Sequence, residues 1–379
     1  MKRHCLTLFF FGIFLSVDAI DFSRINVAWQ YDPNAEITLA HRVYQRDGDV
    51  FVLLKVTADS LARWSFDFLV QDGYESESHD KIELVSADTL GMGANEMDLK
   101  LRLPVTSKDL MVIKVFRFEQ FYYYDIGLKV GTLPFPSIYP VDDSGLPIYT
   151  NYINRSAHSW SANEQVHVIK YVEDFAKADA PMADMRPIAP TARQDSAFVS
   201  GVTPSLEEKY FYVIRSDSNQ SSGVTVLRVP PYFPEYRKLT ELVESMLYLT
   251  SEAEEKALLK SIDLKKDFDG FWINNLNTKP RARNGIRKYY SSIRLVNSLF
   301  TDFKPGWKTD RGMMYLIYGM PDEVYRLNGL EEWYYDSGEA FEFNVISSFF
   351  APRTYSLRRN RDFEDVWFMK ISEIRRGIR

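Results

Sequence analysis

The chain has 379 residues and a formal net charge of −6, from 46 Lys and Arg against 52 Asp and Glu. A mildly acidic balance argues against non-specific binding of nucleic acid, and this length predicts two or three domains. Aromatic residues make up 15% of the chain, which favours β-structure with large buried rings over disorder.

Residues 1–19 have the features of a secretory signal peptide. Lys2 and Arg3 precede an apolar run from Cys5 to Val17 and a small-residue end at Ala19. The run is shorter than the ~20 residues that span a bilayer, so we expect cleavage after Ala19 and no transmembrane span in the mature chain. An uncleaved anchor is the alternative. Cleavage removes the only cysteine, so the mature protein would have no disulfide and no thiol, which suits a bacterial envelope.

Residues 20–129 predict an all-β domain of the immunoglobulin-like sandwich type. Asp47-Gly48 separates two alternating runs, which is the strongest short-range signal for a β-hairpin. Large side chains alternate along residues 64–70 and again along 97–103, as expected of half-buried strands. Roughly seven such strands fit a sandwich, although the Cys–Trp–Cys core of antibody domains is absent. The similarity is therefore one of architecture.

Residues 130–232 predict a second, smaller β-domain. Strands are expected at residues 165–172, 210–215 and 223–229, and the Ala- and Pro-rich residues 176–195 are expected to form a loop. The proline cluster from Pro230 to Pro234 is the strongest domain boundary in the chain.

Residues 233–379 predict an α+β domain, with helices followed by an antiparallel sheet. Apolar residues recur at helical spacing over residues 239–249 and 282–300. Between them, Ser251 and Glu254 form a capping box that begins another helix, with an inward face of Leu258, Leu259 and Ile262. Strands are expected at residues 313–318, 332–335, 340–346 and 365–371.

The most unusual segment is residues 306–323. A Gly306-Trp307 turn is followed by an acid and an arginine, and then by the apolar run from Met313 to Tyr318. We interpret that run as a strand between two glycines. Residues 320–323 are interpreted as a turn that opens a helix, because the negative charges of Asp322 and Glu323 suit a first helical turn. This geometry is typical of a binding site and equally of a strained domain corner.

The segment resembles a known family. Gly306-Trp307-Lys308-Thr309-Asp310 is the pattern that names the GWxTD-domain family of bacterial exported proteins. Agreement continues through residues 311–312, 315–319, 321–323 and 333–335, while Met320 stands where the family commonly has a second proline. The resemblance implies a secreted or envelope location. It implies no mechanism, because the family has no assigned reaction.

Four motif residues are candidates for binding: Trp307, Thr309, Asp310 and Arg311. Trp307 is either a core anchor whose N–H finds a carbonyl or a ligand-facing platform. Thr309 and Asp310 either hold a tight turn or, in the case of Asp310 with Arg311, form buried ion pairs with other parts of the domain.

Catalysis has little support in the C-terminal domain. The histidines of the chain all precede that domain, and they are His4, His41, His79, His158 and His167. This removes Ser-His-Asp and Cys-His chemistry and most zinc sites from that domain, and no cofactor motif occurs. We therefore predict neither a metal site nor a cofactor. Carboxylate-only hydrolysis by Asp310, Asp322 or Glu323 stays open and would need two carboxyl groups ~5–9 Å apart.

A basic helix face is the last candidate. Arg283, Arg287 and Arg294 are spaced so that they share one face, with Arg281 and Lys288 close by. This is either a solvated face or a docking surface for an acidic protein or an anionic glycan.

Two functions follow. The first is a non-enzymatic exported protein of the cell envelope that binds or scaffolds an envelope protein in the periplasm, at the outer membrane or after release. The alternative is a carboxylate-dependent hydrolase or a glycan-binding protein of the envelope. Neither function involves nucleic acid.

Overall fold

The computed structural model describes residues 21–129, 134–155, 158–162, 164–184 and 190–378. The predicted signal peptide, residues 1–19, lies outside the described residues. The chain is β-rich up to Arg228, and then forms helices followed by a four-stranded antiparallel sheet. This confirms the predicted multidomain order.

The N-terminal sandwich contains eight strands, namely β1 (Ile37–Arg46), β2 (Asp49–Ala58), β3 (Ser65–Gln71), β4 (Asp80–Lys81), β5 (Ser86–Met92), β6 (Glu96–Arg102), β7 (Leu110–Arg117) and β8 (Gln120–Gly127). Its antiparallel sheets have the orders β1-β2-β6-β5 and β4-β3-β7-β8. This is the constant-type immunoglobulin order with one additional edge strand. Asp47 and Gly48 have φ of 53° and 84°, positive at both positions as a two-residue type I′ hairpin requires.

The second β-region contains β9 (Pro140–Val141), β10 (Tyr152–Ile153), β11 (Ser159–Trp160), β12 (Gln165–Val172), β13 (Gln194–Gly201), β14 (Tyr210–Arg215) and β15 (Val224–Arg228). Its main sheet has the order β10-β15-β14-β12-β13, and β9 pairs with β11. β13 begins inside the predicted loop. It is an edge strand whose residues are mostly exposed, so the sequence carries no alternating apolar pattern there.

The helices that follow are α1 (Leu239–Ser245), α2 (Glu252–Leu259), α3 (Leu264–Leu276) and α4 (Lys279–Phe300). The capping box is present, because the Ser251 N–H donates to Glu254 at 2.8 Å and the Glu254 N–H donates to Ser251 at 3.3 Å. The predicted inward face of α2 is wrong in two of three positions. Leu258 is buried, whereas Leu259 and Ile262 are exposed. α2 ends at Leu259, so helical spacing no longer applies to Ile262.

The predicted strand at residues 313–318 is wrong, because these residues belong to helix α5 (Asp310–Tyr318). Thr309 caps the helix by accepting a hydrogen bond from the Gly312 N–H at 3.0 Å. Every residue from Gly312 to Tyr318 is buried. A short run that is apolar on all sides cannot be assigned to helix or strand from periodicity alone, and here the buried helix forms.

The predicted helix after Pro321 is also wrong. Residues 320–322 lead into β16 (Glu323–Leu327), which pairs with β17 (Leu330–Tyr334), β18 (Ala340–Ile346) and β19 (Thr354–Leu357) in that order. Asp322 therefore directly precedes a strand that begins at Glu323, and neither residue occupies a first helical turn. The register explains this, because Glu323 pairs with Tyr334 at the end of the neighbouring strand.

The predicted strand at residues 365–371 is wrong as well, because α6 (Glu364–Arg376) occupies this segment. Trp367 and Ile371 are buried four residues apart, which is a helical spacing. Phe368 and Met369 lie on the exposed side and lengthened the apolar run in the sequence. Acidic residues in the first turn and arginines in the last turn complement the helix dipole.

The largest core crosses the predicted domain limits. Phe22, Val27 and Tyr31, from two short 3-10 turns before β1, pack in one cluster with the helices and the C-terminal sheet. Phe303 and Phe350 similarly join a cluster with strands of the second β-region. The parts of the chain are therefore joined by shared buried surface. Over the described ranges, each helix is too short or too polar to cross a bilayer.

Candidate functional site

The GWxTD motif forms a tight connection between α4 and α5. Gly306 begins a 3-10 turn that ends at Lys308. A Cβ on Gly306 would lie 2.0 Å from the Val296 carbonyl oxygen, and a Cβ on Gly312 would lie 1.9 Å from the Gly306 carbonyl oxygen. Both positions thus require glycine, because backbone contacts backbone there.

Trp307 lies inside the protein, with 3% of its surface exposed. Its indole Nε1–H donates to the Tyr236 hydroxyl at 2.8 Å, and its backbone N–H donates to Asn297 Oδ1 at 3.2 Å. The Trp307 carbonyl accepts from the Tyr248 hydroxyl at 3.1 Å. These contacts are those of a core anchor. The acceptor of the indole N–H is the Tyr236 hydroxyl, whereas the sequence analysis predicted a carbonyl.

The polar residues around Trp307 attach the motif to other elements. Lys308 donates to Glu173, just after β12, at 2.8 Å. Thr309 donates to the Gly306 carbonyl at 2.7 Å while it caps α5. Asp310 accepts from the Leu357 N–H at 2.7 Å and from Arg359 at 2.7 Å, which ties α5 to β19.

The three carboxylates proposed for hydrolysis have separate partners. Asp310 is engaged with Arg359, as described. Asp322 is exposed at the start of β16 and accepts from the Asp336 N–H at 2.7 Å. Glu323, also exposed, accepts from the Tyr325 hydroxyl at 3.1 Å. No contact joins any two of these carboxylates in the part of the chain that the structure describes.

Arg311 begins a buried polar cluster. Its guanidinium donates to the Tyr31 hydroxyl at 2.9 Å and to Glu331 at 3.3 Å, and it lies 3.4 Å from the centre of the Tyr355 ring. The predicted buried partner of Arg311 is thus present, but it is Glu331, while Asp310 pairs with Arg359.

Glu331 and Asp125 are the acidic centres of this cluster, with 0% and 3% exposure. Glu331 accepts from Arg326 at 2.8 Å and from the Trp333 indole at 2.9 Å. Arg326 also pairs with Asp125, which accepts from the Tyr74 hydroxyl at 2.8 Å. We call the following set the junction network: Tyr31, Tyr74, Asp125, Arg311, Arg326, Glu331 and Arg353.

Burial and ion pairing within the junction network determine the charge states of its carboxylates and phenols. Burial alone would raise the pKa of Asp125, but Arg326 and Arg353 outweigh burial and lower it to about 2. Arg311 and Arg326 likewise hold the pKa of Glu331 below its ordinary value against the effect of burial. Burial raises the pKa of Tyr31 and Tyr74 well above the usual range. Near neutral pH both carboxylates are therefore ionised and both phenols protonated.

The sequence contained no local signal for the junction network. Its members belong to the N-terminal segment, the sandwich, helix α5 and the C-terminal sheet region, so they converge only through the tertiary fold. Arg311 alone was a candidate, because it lies beside the motif. Glu331 gives only a partial signal, because it lies two residues before Trp333 and so shares its strand face, where a carboxylate would need a cationic partner.

The three predicted surface arginines are exposed on α4. Arg294 lies 3.3 Å from Glu235, another exposed residue. Arg287 lines a cleft of about 450 Å³ between α4, α5 and the last turns of α3 and α6, and Arg281 and Lys288 line it as well. Arg283 and Arg294 are not part of its lining.

Over the described ranges, no three or more His, Cys, Asp or Glu side chains are arranged to hold a metal ion.

The fold and site define a protein in which an immunoglobulin-like sandwich and a second β-region are joined to an α+β domain through the residues of its motif. The family model of the GWxTD domain matches residues 210–376. The chain therefore contains a GWxTD domain, and the resemblance seen in the motif is confirmed. The match begins at the first residue of β14, so it includes two central strands of the second β-region.

No curated protein matches the chain. Among solved structures, a chain in the crystal structure of the human cytomegalovirus protein US2 bound to the MHC class I molecule HLA-A2/tax is similar at 11% identity and a TM-score of 0.21. That similarity covers 24% of this chain and 97% of the other. The immunoglobulin-like assignment depends on the strand order described above.

Proposed function

We propose that the protein is a non-enzymatic, exported component of the bacterial cell envelope that binds another envelope protein. Its site of action would be the periplasm or the outer membrane. Export is supported by the features of residues 1–19 and by the GWxTD domain, whose family resemblance implies an envelope location.

The main support for the proposal comes from the contacts that the motif residues make with other parts of the chain. Trp307 contacts Tyr236, Lys308 contacts Glu173, Asp310 contacts Arg359 and Arg311 contacts Tyr31. These four residues thus attach the α4–α5 connection to four other segments of the chain. A motif used in this way stabilises an arrangement of domains, which is what a scaffold needs.

Partner binding is assigned to the basic face of α4. Arg283, Arg287 and Arg294 are exposed on it, in a chain whose net charge is −6. A local patch of positive charge on an acidic protein steers association with an acidic surface and discriminates against basic partners.

The test is capture from the protein's own envelope. The tagged parent and a variant with Arg283→Glu, Arg287→Glu and Arg294→Glu would be incubated with an extract of the cell envelope at several salt concentrations, and the partners captured over time quantified by mass spectrometry. We expect slower capture by the variant and a flatter salt dependence, because the Debye length is only ~8 Å at physiological ionic strength. A variant with Arg63→Glu, Lys260→Glu and Lys266→Glu changes three exposed cations elsewhere and is the matched control.

Two results would contradict the proposal. One is equal capture by the parent and the α4 variant at low salt. The other is hydrolysis of envelope peptides or glycans that Asp310→Asn, Asp322→Asn or Glu323→Gln abolishes, which would establish the carboxylate-dependent alternative. Export is tested separately, because the mature protein should begin at Ile20 by mass spectrometry and should not retain Met1.

A further inference from the structure

We propose that the cleft beside α4 binds an acidic peptide segment of the partner. An apolar side chain of the peptide would enter the cleft, and the carboxylates on either side of it in the peptide would meet the basic residues of the lining. This inference rests on the proposed function, since it names the part of the partner that docks and the place where it docks. We call this site the α4 cleft, and it comprises the approximately 450 Å³ space bounded by Leu276, Arg281, Arg287, Lys288, Leu316 and Ile374.

The positive charge of the α4 cleft favours a negatively charged ligand. Arg281, Arg287 and Lys288 line it, and the described residues of its lining include no carboxylate. Arg281 donates to the Arg376 carbonyl at 3.0 Å, which holds its guanidinium at the end of α6 and leaves further N–H groups for a ligand. Three cations without a neighbouring acid in the lining favour a ligand that carries more than one negative charge.

The walls of the α4 cleft provide an apolar anchor site. Leu276 is buried and packs close to two glycines, because a Cβ on Gly285 would lie 2.5 Å from it and a Cβ on Gly377 would lie 2.8 Å from it. These glycines let the ends of α3 and α6 approach α4. Leu316, at 4% exposure, and Ile374 complete the apolar side. The volume lies within the ~300–1,000 Å³ of typical ligand pockets, which accommodates one or two side chains.

The neutral polar lining favours a peptide over an acyl chain. Asn284 and Ser291 line the α4 cleft, and within the described ranges neither side chain has a hydrogen-bond partner. A peptide backbone supplies both donors and acceptors to such groups, whereas an acyl chain would cover these exposed side chains without offering a hydrogen bond, which is unfavourable. An acidic peptide therefore complements the cations, the apolar wall and the amide and hydroxyl groups together.

The test uses the purified mature chain and a fluorescent nine-residue peptide with a central leucine flanked by four glutamates on each side. A second peptide has glutamine in place of glutamate, and dodecanoate serves as an anionic amphiphile. Binding is measured by anisotropy at several salt concentrations. Arg281→Glu with Lys288→Glu reverses two cleft charges. Lys260→Glu with Lys266→Glu makes the same charge change at exposed positions outside the cleft lining, so it is the matched control.

We expect the acidic peptide to bind the parent and the glutamine peptide to bind more weakly. The cleft pair should weaken binding about tenfold, because each reversal removes an attraction and adds a repulsion. The control pair should stay within about twofold of the parent. Ser291→Trp fills the cleft from an exposed position without changing charge, and it should also abolish binding.

The proposal fails if the acidic peptide does not bind, or if the cleft pair binds it as the parent does. It also fails if only dodecanoate binds and Ser291→Trp blocks it, since the site would then take a lipid. The capture assay separates this failure from failure of the proposed function. A partner lost with Arg283→Glu and Arg294→Glu but retained with the cleft pair would leave the scaffold function in place and refute the α4 cleft as its docking site.

Discussion

The hydroxyl of Tyr31 lies 2.9 Å from each carboxylate oxygen of Glu331, although the two residues are 300 positions apart. Arg311, directly after the GWxTD motif, donates to the same hydroxyl. The segment before the first strand is thereby attached to the C-terminal sheet directly and also through the arginine that follows the motif. A contact of this kind makes the N-terminal residues part of the structural unit that the motif holds together.

Removing that hydroxyl tests its contribution. Tyr31→Phe keeps the ring, which packs at 5.5 Å from both Phe300 and Trp333, and removes only the bonds to Glu331 and the arginines. We expect the free energy of unfolding to fall by ~1–3 kcal/mol, because a buried carboxylate loses a donor. Tyr325→Phe removes an exposed hydroxyl that bonds to Glu323, and it should cost less than ~0.5 kcal/mol. Equal urea midpoints for the two variants would show that the Tyr31 bond contributes nothing.

Trp307 tests the anchor interpretation of the motif. Trp307→Ala should lower the free energy of unfolding by ~3–5 kcal/mol, as truncations of large buried aromatic side chains do. Trp307→Phe retains most of the packing but leaves the Tyr236 hydroxyl without the indole donor, so a smaller loss of ~1–2 kcal/mol is expected. Urea unfolding measures both. An equally stable Trp307→Ala variant that no longer captures a partner would instead establish a ligand platform.

The motif glycines offer the sharpest steric test. Gly306→Ala places a Cβ 2.0 Å from the Val296 carbonyl oxygen, so the α4–α5 contact must open, and we expect a loss above ~4 kcal/mol or no soluble protein. Gly270→Ala is the control, because the added Cβ would have no atom within 4 Å apart from the neighbouring residues and backbone of its own helix α3. It should leave stability unchanged or raise it by ~0.5–1 kcal/mol. Thermal midpoints and soluble yield from matched cultures decide the comparison, and similar values for both variants would show that the backbone contact is loose.

The sequence predicted those elements whose pattern is local. The Asp47-Gly48 hairpin, the alternating strands of the sandwich, the Ser251 capping box and helix α4 all carry their signal within a few residues. The errors occurred where one pattern fits two structures. The apolar residues 313–318 and 365–371 were assigned as strands, but α5 is buried on all sides and α6 exposes Phe368 and Met369. In both cases the tertiary environment decides the outcome.

The candidate site, too, was only partly predictable from the sequence. The motif was located from the sequence, since its glycines, tryptophan and acid are unusual neighbours. Its role could not be read, because Tyr31, Asp125 and Glu331 contribute from distant parts of the chain. The cleft beside α4 likewise needs the ends of α3 and α6 to converge, and Arg287 alone of the three predicted arginines belongs to it.

Because of Asp125, the free energy of unfolding should decrease as the pH falls through the acid range. Its pKa of about 2 in the folded protein lies below the ordinary value of 3.8, so the folded state binds this proton more weakly than the unfolded state does. The resulting stabilisation, about 2 kcal/mol, is fully present above about pH 4 and is lost as the pH falls towards 2. The pKa of Glu331 is lowered too, so it adds to the same acid limb.

Asp125→Asn should therefore change both the level and the slope of stability with pH. At pH 7 we expect a loss of ~3–5 kcal/mol, because Arg326 loses its buried acidic partner. Between pH 4 and 2 the variant's free energy of unfolding should decline less steeply than the parent's, with the remaining slope due in part to Glu331. Asp322→Asn, an exposed carboxylate outside the junction network, should retain the parent's acid limb. Urea unfolding at half-unit pH steps measures these slopes, and parallel curves for parent and Asp125→Asn would show that Asp125 does not govern acid stability.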